Sequence, residues 1–247
     1  MKFEVLTYLA MKRTVLFLVA AILLGVWLQS CDREDNNGDN NGGGSGGSNS
    51  SVVWVDLGLP SGLLWADRNV GAASPEDYGN YFAWGETVPK DVYNWSTYAY
   101  SNSYGMLTKY CNDSYYGLNG FTDNLTTLQA SDDAATAIFG GKARTPTIYE
   151  WEELLNNTTS TWTTRNGVYG RLLTGRNGNS LFLPAAGYRY GSLLNDAGEY
   201  GDYWSSMLLT DGPNDAWLFS FDSDYQGMNT VNRLNGFSVR AVRASQN

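Results

Sequence analysis

Trp217, Phe219 and Phe221 alternate with Leu218, Ser220 and Asp222, and this alternation restricts the possible folds more than any other feature of the chain. Successive side chains of an extended strand point to opposite faces. The three aromatics therefore share one side, and the smaller or polar residues share the other. Three rings in register make a core face, each contributing roughly a few kcal/mol on burial. Leu218, Ser220 and Asp222 are then predicted to face outward and to be replaceable without harm to the fold. Hairpin signals supply neighbours for such a strand. Asn166-Gly167 and Asn177-Gly178 tolerate the positive φ that tight primed turns require. Leu181–Leu183, Tyr203-Trp204 and Phe237–Val242 are further strand candidates.

Earlier in the chain the pattern differs. Val52–Asp56 reads as a strand, Leu59-Pro60-Ser61-Gly62 as a tight turn, and Leu63–Val70 as the returning strand. Residues 75–124 are rich in Tyr, Asn, Ser and Gly with little periodicity, which predicts an irregular insertion packed by its aromatics. Ser131 is placed to cap a helix with Asp132 and Asp133 in its first turn, ending at Gly140-Gly141. Thr147 and Glu150 have capping-box spacing at the start of a second helix, whose Ile148, Trp151, Leu154 and Leu155 fall on one face. Two helices followed by mostly antiparallel short strands predict an α+β fold built as a single domain.

Composition excludes several chemistries. The chain of 247 residues has no histidine, so it cannot run Ser-His-Asp or Cys-His catalysis or build an imidazole metal site. Its two cysteines, Cys31 and Cys111, cannot form a structural zinc site or a disulfide framework. A formal charge of −9 argues against a nucleic-acid partner, which needs a basic face.

The N-terminal thirty residues read as an address. Lys12-Arg13 precede the almost uninterrupted apolar run Val15–Leu28, and Leu28-Gln29-Ser30-Cys31 follows. The run is short for a membrane span and suits a secretory signal. A small residue directly before a lone cysteine resembles a lipobox, which implies cleavage before Cys31 and lipid on its thiol. Residues 1–30 are therefore expected to be a signal peptide. Their removal takes away Lys2, Lys12, Arg13 and Glu4, leaving a net charge of −11. Anionic headgroups then repel the domain while acyl chains hold it to the bilayer. Residues 31–51 have almost nothing apolar to bury and read as a flexible Asn/Gly/Ser tether. The acidic residues after Cys31 resemble the surface-export signal of gut anaerobes' lipoproteins, implying an outer-membrane lipoprotein displayed on the cell surface.

Several motifs in order resemble a known superfamily. Arg144-Thr145-Pro146-Thr147-Ile148-Tyr149-Glu150-Trp151 is similar to a helix start of formylglycine-generating enzymes, and Gly236-Phe237-Ser238-Val239-Arg240 to their closing strand. Both features belong to the C-type-lectin-like superfamily. The closer resemblance is to its FISUMP branch, the major paralogous domain of fibrolytic bacteria. It rests on Val55–Gly62, Tyr81–Glu86, Leu183–Arg189 and Tyr203-Trp204-Ser205-Ser206, and it covers 52–243. This implies one C-type-lectin-like domain over 52–247. Within it, 188–234 resembles the variable region of proteins diversified by retroelements, in which a fixed scaffold carries rewritten ligand-facing positions. The resemblance, together with strand alternation, places candidate ligand contacts at Tyr190, Tyr200, Asp202, Leu208, Asp215, Leu218, Ser220, Asp222, Tyr225, Asn229 and Asn232. Tyrosines among Ser, Asn and Gly have the chemistry of an antibody paratope.

Catalytic readings are weaker. No cysteine follows Cys111, so the paired cysteines of formylglycine-generating enzymes are missing. Glu86, Glu150, Asp202 and Asp222 are available to a polysaccharide-cleaving enzyme, but their spacing is unspecific. Asp222-Ser223-Asp224 and Asp211–Asp215 contain calcium-type ligands but read better as turns, and the Glu-Pro-Asn and Trp-Asn-Asp motifs of calcium-dependent lectins are missing. The sequence thus predicts a non-enzymatic, cofactor-free binding protein for a protein or glycan ligand. An enzyme or accessory protein acting on envelope polysaccharide is the alternative.

Overall fold

A computed structural model describes residues 52–245. The expected signal peptide, the lipid-bearing Cys31 and the tether lie outside the described residues.

Strands β1 (Trp54–Asp56) and β2 (Leu64–Asn69) pair antiparallel with Val55 opposite Trp65. The turn between them closes where the Gly62 N–H donates to the Leu59 carbonyl at 2.9 Å. The final strand β11 (Arg240–Arg243) takes the other edge of β2, so both ends of the described chain meet in one sheet. A second sheet joins β3 (Thr158–Arg165), β4 (Val168–Gly175) and β5 (Ser180–Pro184) in that order. Arg165 opposes Val168, leaving only Asn166 and Gly167 to turn the chain, at φ +49° and +82°. This is the two-residue primed turn that Asn-Gly favours. Strands β6 (Tyr188–Tyr190) and β7 (Leu193–Asn195) form a small ribbon. The remaining sheet has β8 (Gly201–Leu208) and β10 (Gln226–Asn232) on either side of β9 (Asp215–Phe221).

Two α-helices, α1 (Ala134–Phe139) and α2 (Ile148–Asn157), complete the α+β architecture of the described residues. The capping box of α2 forms as its sequence predicts: Thr147 accepts from the Glu150 N–H, and Glu150 accepts from the Thr147 N–H at 2.8 Å. Trp151 and Leu154 are buried beneath it. The start of α1 differs from expectation. Ala130–Asp132 is a 3-10 turn, and Asp133, not Ser131, caps the helix by accepting from the Ala135 and Thr136 N–H groups. The same carboxylate accepts from the Thr145 N–H and hydroxyl, both at 2.8 Å, so one buried acid fastens two chain segments. Sequence spacing gives no sign of that tertiary contact.

Residues 75–124 contain no α-helix and no strand longer than a single bridge. Their rings hold them in place. Tyr81, Trp84, Tyr93, Tyr98 and Tyr110 are buried. The hydroxyls of Tyr81, Tyr93 and Tyr98 donate to the carbonyls of Ala186, Tyr81 and Trp84 at 2.6, 2.6 and 2.7 Å. Each ring thus supplies apolar area and also satisfies backbone that no ladder pairs.

The predicted strand Phe237–Val242 is regular only from Arg240 onward. Gly236, Phe237 and Ser238 instead bridge three different segments, at Arg189, Phe82 and Tyr203 respectively. Their backbone pins the β6–β7 ribbon and β8 to the insertion.

Candidate functional site

Strand β9 sets the geometry of the proposed ligand face, and it departs from the simple alternation. Phe219 and Phe221 are buried against Trp151, Tyr203 and Trp162, with ring centroids 5.0 to 6.4 Å apart, whereas Trp217 is half-exposed. The opposite face is not uniformly outward. Leu218 is only 2% exposed and packs with Ala216, Trp204 and Phe237. The expectation that Leu218 meets solvent is therefore corrected. A central strand with a partner on each edge can be covered on both faces, and here a separate apolar cluster lies against each one. Ser220 and Asp222, farther along the strand, remain half-buried.

Leu208 is also corrected. The register of β8 against β9 shifts between Trp204 and Leu208, and after that irregularity Leu208 lies opposite Ala216, buried in the same cluster as Leu218. Asp215 and Asn232 pair with each other, and the Asn232 amide donates to the Asp215 carboxylate. They share the pleat of Trp217, on the opposite face from Ser220 and at the far end of β9, roughly 17–20 Å away along the strand. The eleven candidates therefore do not form one site.

A subset does come together. Asp202 on β8 lies opposite Ser220 on β9, which lies opposite Gly227 on β10. Tyr200 continues the alternation of Asp202 just before Gly201, where a Cβ would stand 2.1 Å from the Phe221 ring. Only glycine lets β8 begin so close to that ring. Gly227 serves the face in a similar way: the Tyr225 hydroxyl lies 2.4 Å from where its Cβ would be, so the Tyr225 side chain folds back over the strand. Asn229, opposite Leu218, is exposed on β10. On the neighbouring ribbon Tyr190 is 59% exposed, beside exposed Leu193 and Leu194. The ribbon reaches this sheet through the Gly187–Gly201 bridge. Tyr200, Ser220, Asp222 and Tyr225 thus gather at one sheet end with Asp202 at its base, while Asn229 lies midway along β10 and Tyr190 on the adjoining ribbon.

Asp202 is expected as a surface contact but is only 8% exposed. Burial pushes its carboxyl up to about 6, with the hydrogen bond from Ser220 opposing and the charge of Asp196 reinforcing the shift. Asp222 has a structural task as well: its Oδ1 accepts from the Asp224 and Tyr225 N–H groups, both at 2.7 Å, and so forms the β9–β10 turn.

Arg171, which the sequence reading overlooks, holds this turn from below. Buried on β4, it donates to the carbonyls of Asp222, Ser223 and Tyr225 at 2.9 to 3.4 Å. A lone arginine among the apolar residues of β4 was the available signal. Because its partners in the turn are backbone oxygens, the turn keeps its position whatever side chains 223 and 225 carry.

Other candidate groups are committed elsewhere. Glu86 accepts from Lys90 and from the Ala99 N–H at 2.8 Å each. Glu150 is bound to Arg144 and to the α2 cap. Cys111 is buried and burial raises its thiol pKa, which does not favour a thiolate nucleophile. A cavity of about 300 Å³ is lined by Thr127, Asp133, Thr136, Arg144 and Ser206, but Asp133 caps α1 and Arg144 pairs with Glu150. Among the described residues no three Asp, Glu, Cys or His side chains converge as metal ligands.

Comparison of the chain with family models, with curated proteins and with solved structures finds no match.

Proposed function

We propose that this chain is a lipid-anchored, surface-displayed binding protein with a C-type-lectin-like domain and no catalytic activity of its own. The lipid on Cys31 would hold it to the outer membrane, and the 31–51 tether would let the domain reach away from the surface. The end of the β8–β9–β10 sheet, with the adjoining β6–β7 ribbon, would present a diversified face to a protein ligand or glycan. The observation that supports this reading is the separation of roles along one strand. Leu218 and Phe219 are buried in the scaffold, whereas Ser220 and Asp222 are half-buried and the flanking Tyr190, Tyr200 and Tyr225 are exposed. Rigid tyrosines within a polar rim provide contact area at low entropic cost, and many tethered copies on one cell would add avidity.

Deep sequencing of the locus across a cell population tests it. Substitutions are expected at Tyr190, Tyr200, Ser220, Tyr225 and Asn229, with Trp204, Leu218, Phe219 and Phe237 unchanged. An even spread of changes over 52–247 would overturn the proposal. Fatty-acid labelling that is lost on Cys31→Ser tests the anchor.

One observation favours a second reading, an enzyme acting on envelope polysaccharide: Asp202, with its carboxyl near 6, could donate a proton near neutrality. Its nearest partner on this face, Asp222, is occupied by two backbone N–H groups, which weakens the two-carboxylate version of that chemistry. Hydrolysis of a polysaccharide that disappears on Asp202→Asn would establish it.

A further inference from the structure

We infer that the ligand of this face is a protein segment carrying lysine or arginine side chains. The inference rests on the binding reading above and adds the chemistry of the partner.

The charged groups of the face are all acidic, beside tyrosine, serine and asparagine groups that both donate and accept. Asp196 and Glu199 lie in the segment leading into β8, and Asp222 and Asp224 in the β9–β10 turn; among the described residues none of these four or Asp202 is in an ion pair. Asp202 has one hydroxyl partner, Ser220, although an ionised carboxylate accepts about four hydrogen bonds. A carboxylate so far removed from water without a counterion is a costly arrangement, and an arriving cation relieves it. A second observation, independent of the acids, points the same way. The Asn235 amide oxygen is buried without a partner. Its neighbour Gly236 exchanges backbone hydrogen bonds with Arg189 at 2.8 and 2.9 Å, so Asn235 stands across from Tyr190.

The nearby bases do not satisfy these groups. Arg171 donates to the turn carbonyls, and the Arg189 guanidinium lies 5.3 Å from the centre of the Tyr81 ring. Exposed Tyr190 and Tyr225 complete the picture, because the face of a phenol ring attracts ammonium and guanidinium groups. A sugar hydroxyl carries no charge to offset these carboxylates. Lysine and arginine only donate.

The test screens the detergent-solubilised full chain against a phage-displayed random peptide library and a glycan array. The expected result is enrichment of Lys- and Arg-bearing peptides whose Kd rises at least tenfold on Asp202→Asn. It should rise also on the paired exposed changes Asp196→Asn and Glu199→Gln, which spare the interior if Asp202→Asn disturbs folding. Binding should weaken in high salt. It should also weaken at pH 5 relative to pH 7.5 as Asp202, facing Ser220 with the charge of Asp196 nearby, takes up a proton. Neutral or acidic peptides, or glycans, that lose binding on Tyr190→Ala or Tyr225→Ala would overturn the charge inference and leave the binding face standing. Basic peptides indifferent to the acid substitutions, or no enriched peptide at all, would also overturn it. Ligands indifferent to every change on this face would instead count against the face itself.

Discussion

At the scale of single residues, the buried charges divide into satisfied and unsatisfied groups. Arg233 and Arg240 are fully buried and, among the described residues, have no carboxylate in an ion pair with them. Arg233 donates to the carbonyls of Lys109, Tyr110 and Pro213 and lies over the Trp84 and Tyr98 rings. Arg240 donates to Asn69 and to the carbonyls of Ala66 and Phe182. Each takes the place of a missing ladder by binding several carbonyls from separate segments. Asp202 is the unsatisfied case. Its folded pKa of about 6 lies above the ordinary value of 3.8, so the folded protein holds a proton that the unfolded chain releases between those two values. The penalty is absent below pH 3.8 and complete above pH 6. Asp202→Asn is therefore expected to stabilise the protein by about 2–3 kcal/mol at pH 8 and to have little effect at pH 3.5, as measured by urea unfolding at the two pH values.

At the scale of elements, local sequence decides where structure begins and tertiary contacts decide how far it extends. The α2 cap is local. Thr147→Ala is expected to cost about 1 kcal/mol, seen as a lower urea midpoint at pH 7. Burial opposes ionisation of Glu150, but hydrogen bonds from Arg144 and Thr147 outweigh it and hold the carboxyl below its usual range. The ionised form is thus the stabilising one. Its contribution is complete above the ordinary pKa of glutamate and disappears as the pH falls through the depressed folded value. The Asn166-Gly167 hairpin is equally local, since the two residues supply the required φ values themselves. The start of α1 is not. Asp133 outcompetes Ser131 as its cap because the carboxylate reaches both the helix N–H groups and Thr145. Strand β9 is intermediate: its buried Phe219 and Phe221 are legible from alternation, whereas its start at Asp215, the half-exposure of Trp217 and the burial of its second face are not.

At the scale of the whole molecule, the β8–β9–β10 sheet lies between two apolar clusters along most of its length, and the proposed ligand face lies at the end where one cover stops. This arrangement makes a clear mutational contrast. Leu218→Ala should cost about 2–5 kcal/mol, as expected for a large-to-small change in a packed interior. Tyr190→Ser should change stability by no more than about 0.5 kcal/mol, as expected at an exposed site. Chemical denaturation of the two variants beside the parent chain measures both. Comparable losses in both would show that the ribbon belongs to the scaffold and not to a replaceable surface.

The sequence by itself determines what is encoded within a few residues. It specifies the α2 capping box, the Asn-Gly turn, the aromatic pleat of β9, the α+β class and the irregular insertion held by its rings. It also excludes histidine chemistry outright. Only the tertiary structure decides which candidate residues meet. Leu208 and Leu218 turn inward because a register shift and a second cluster cover them, Asp215 and Asn232 fall at the far end on the other face, and Arg171 joins the site from β4. Alternation fixes which side of a strand a residue occupies, but whether that side faces water depends on what packs against it from distant parts of the chain.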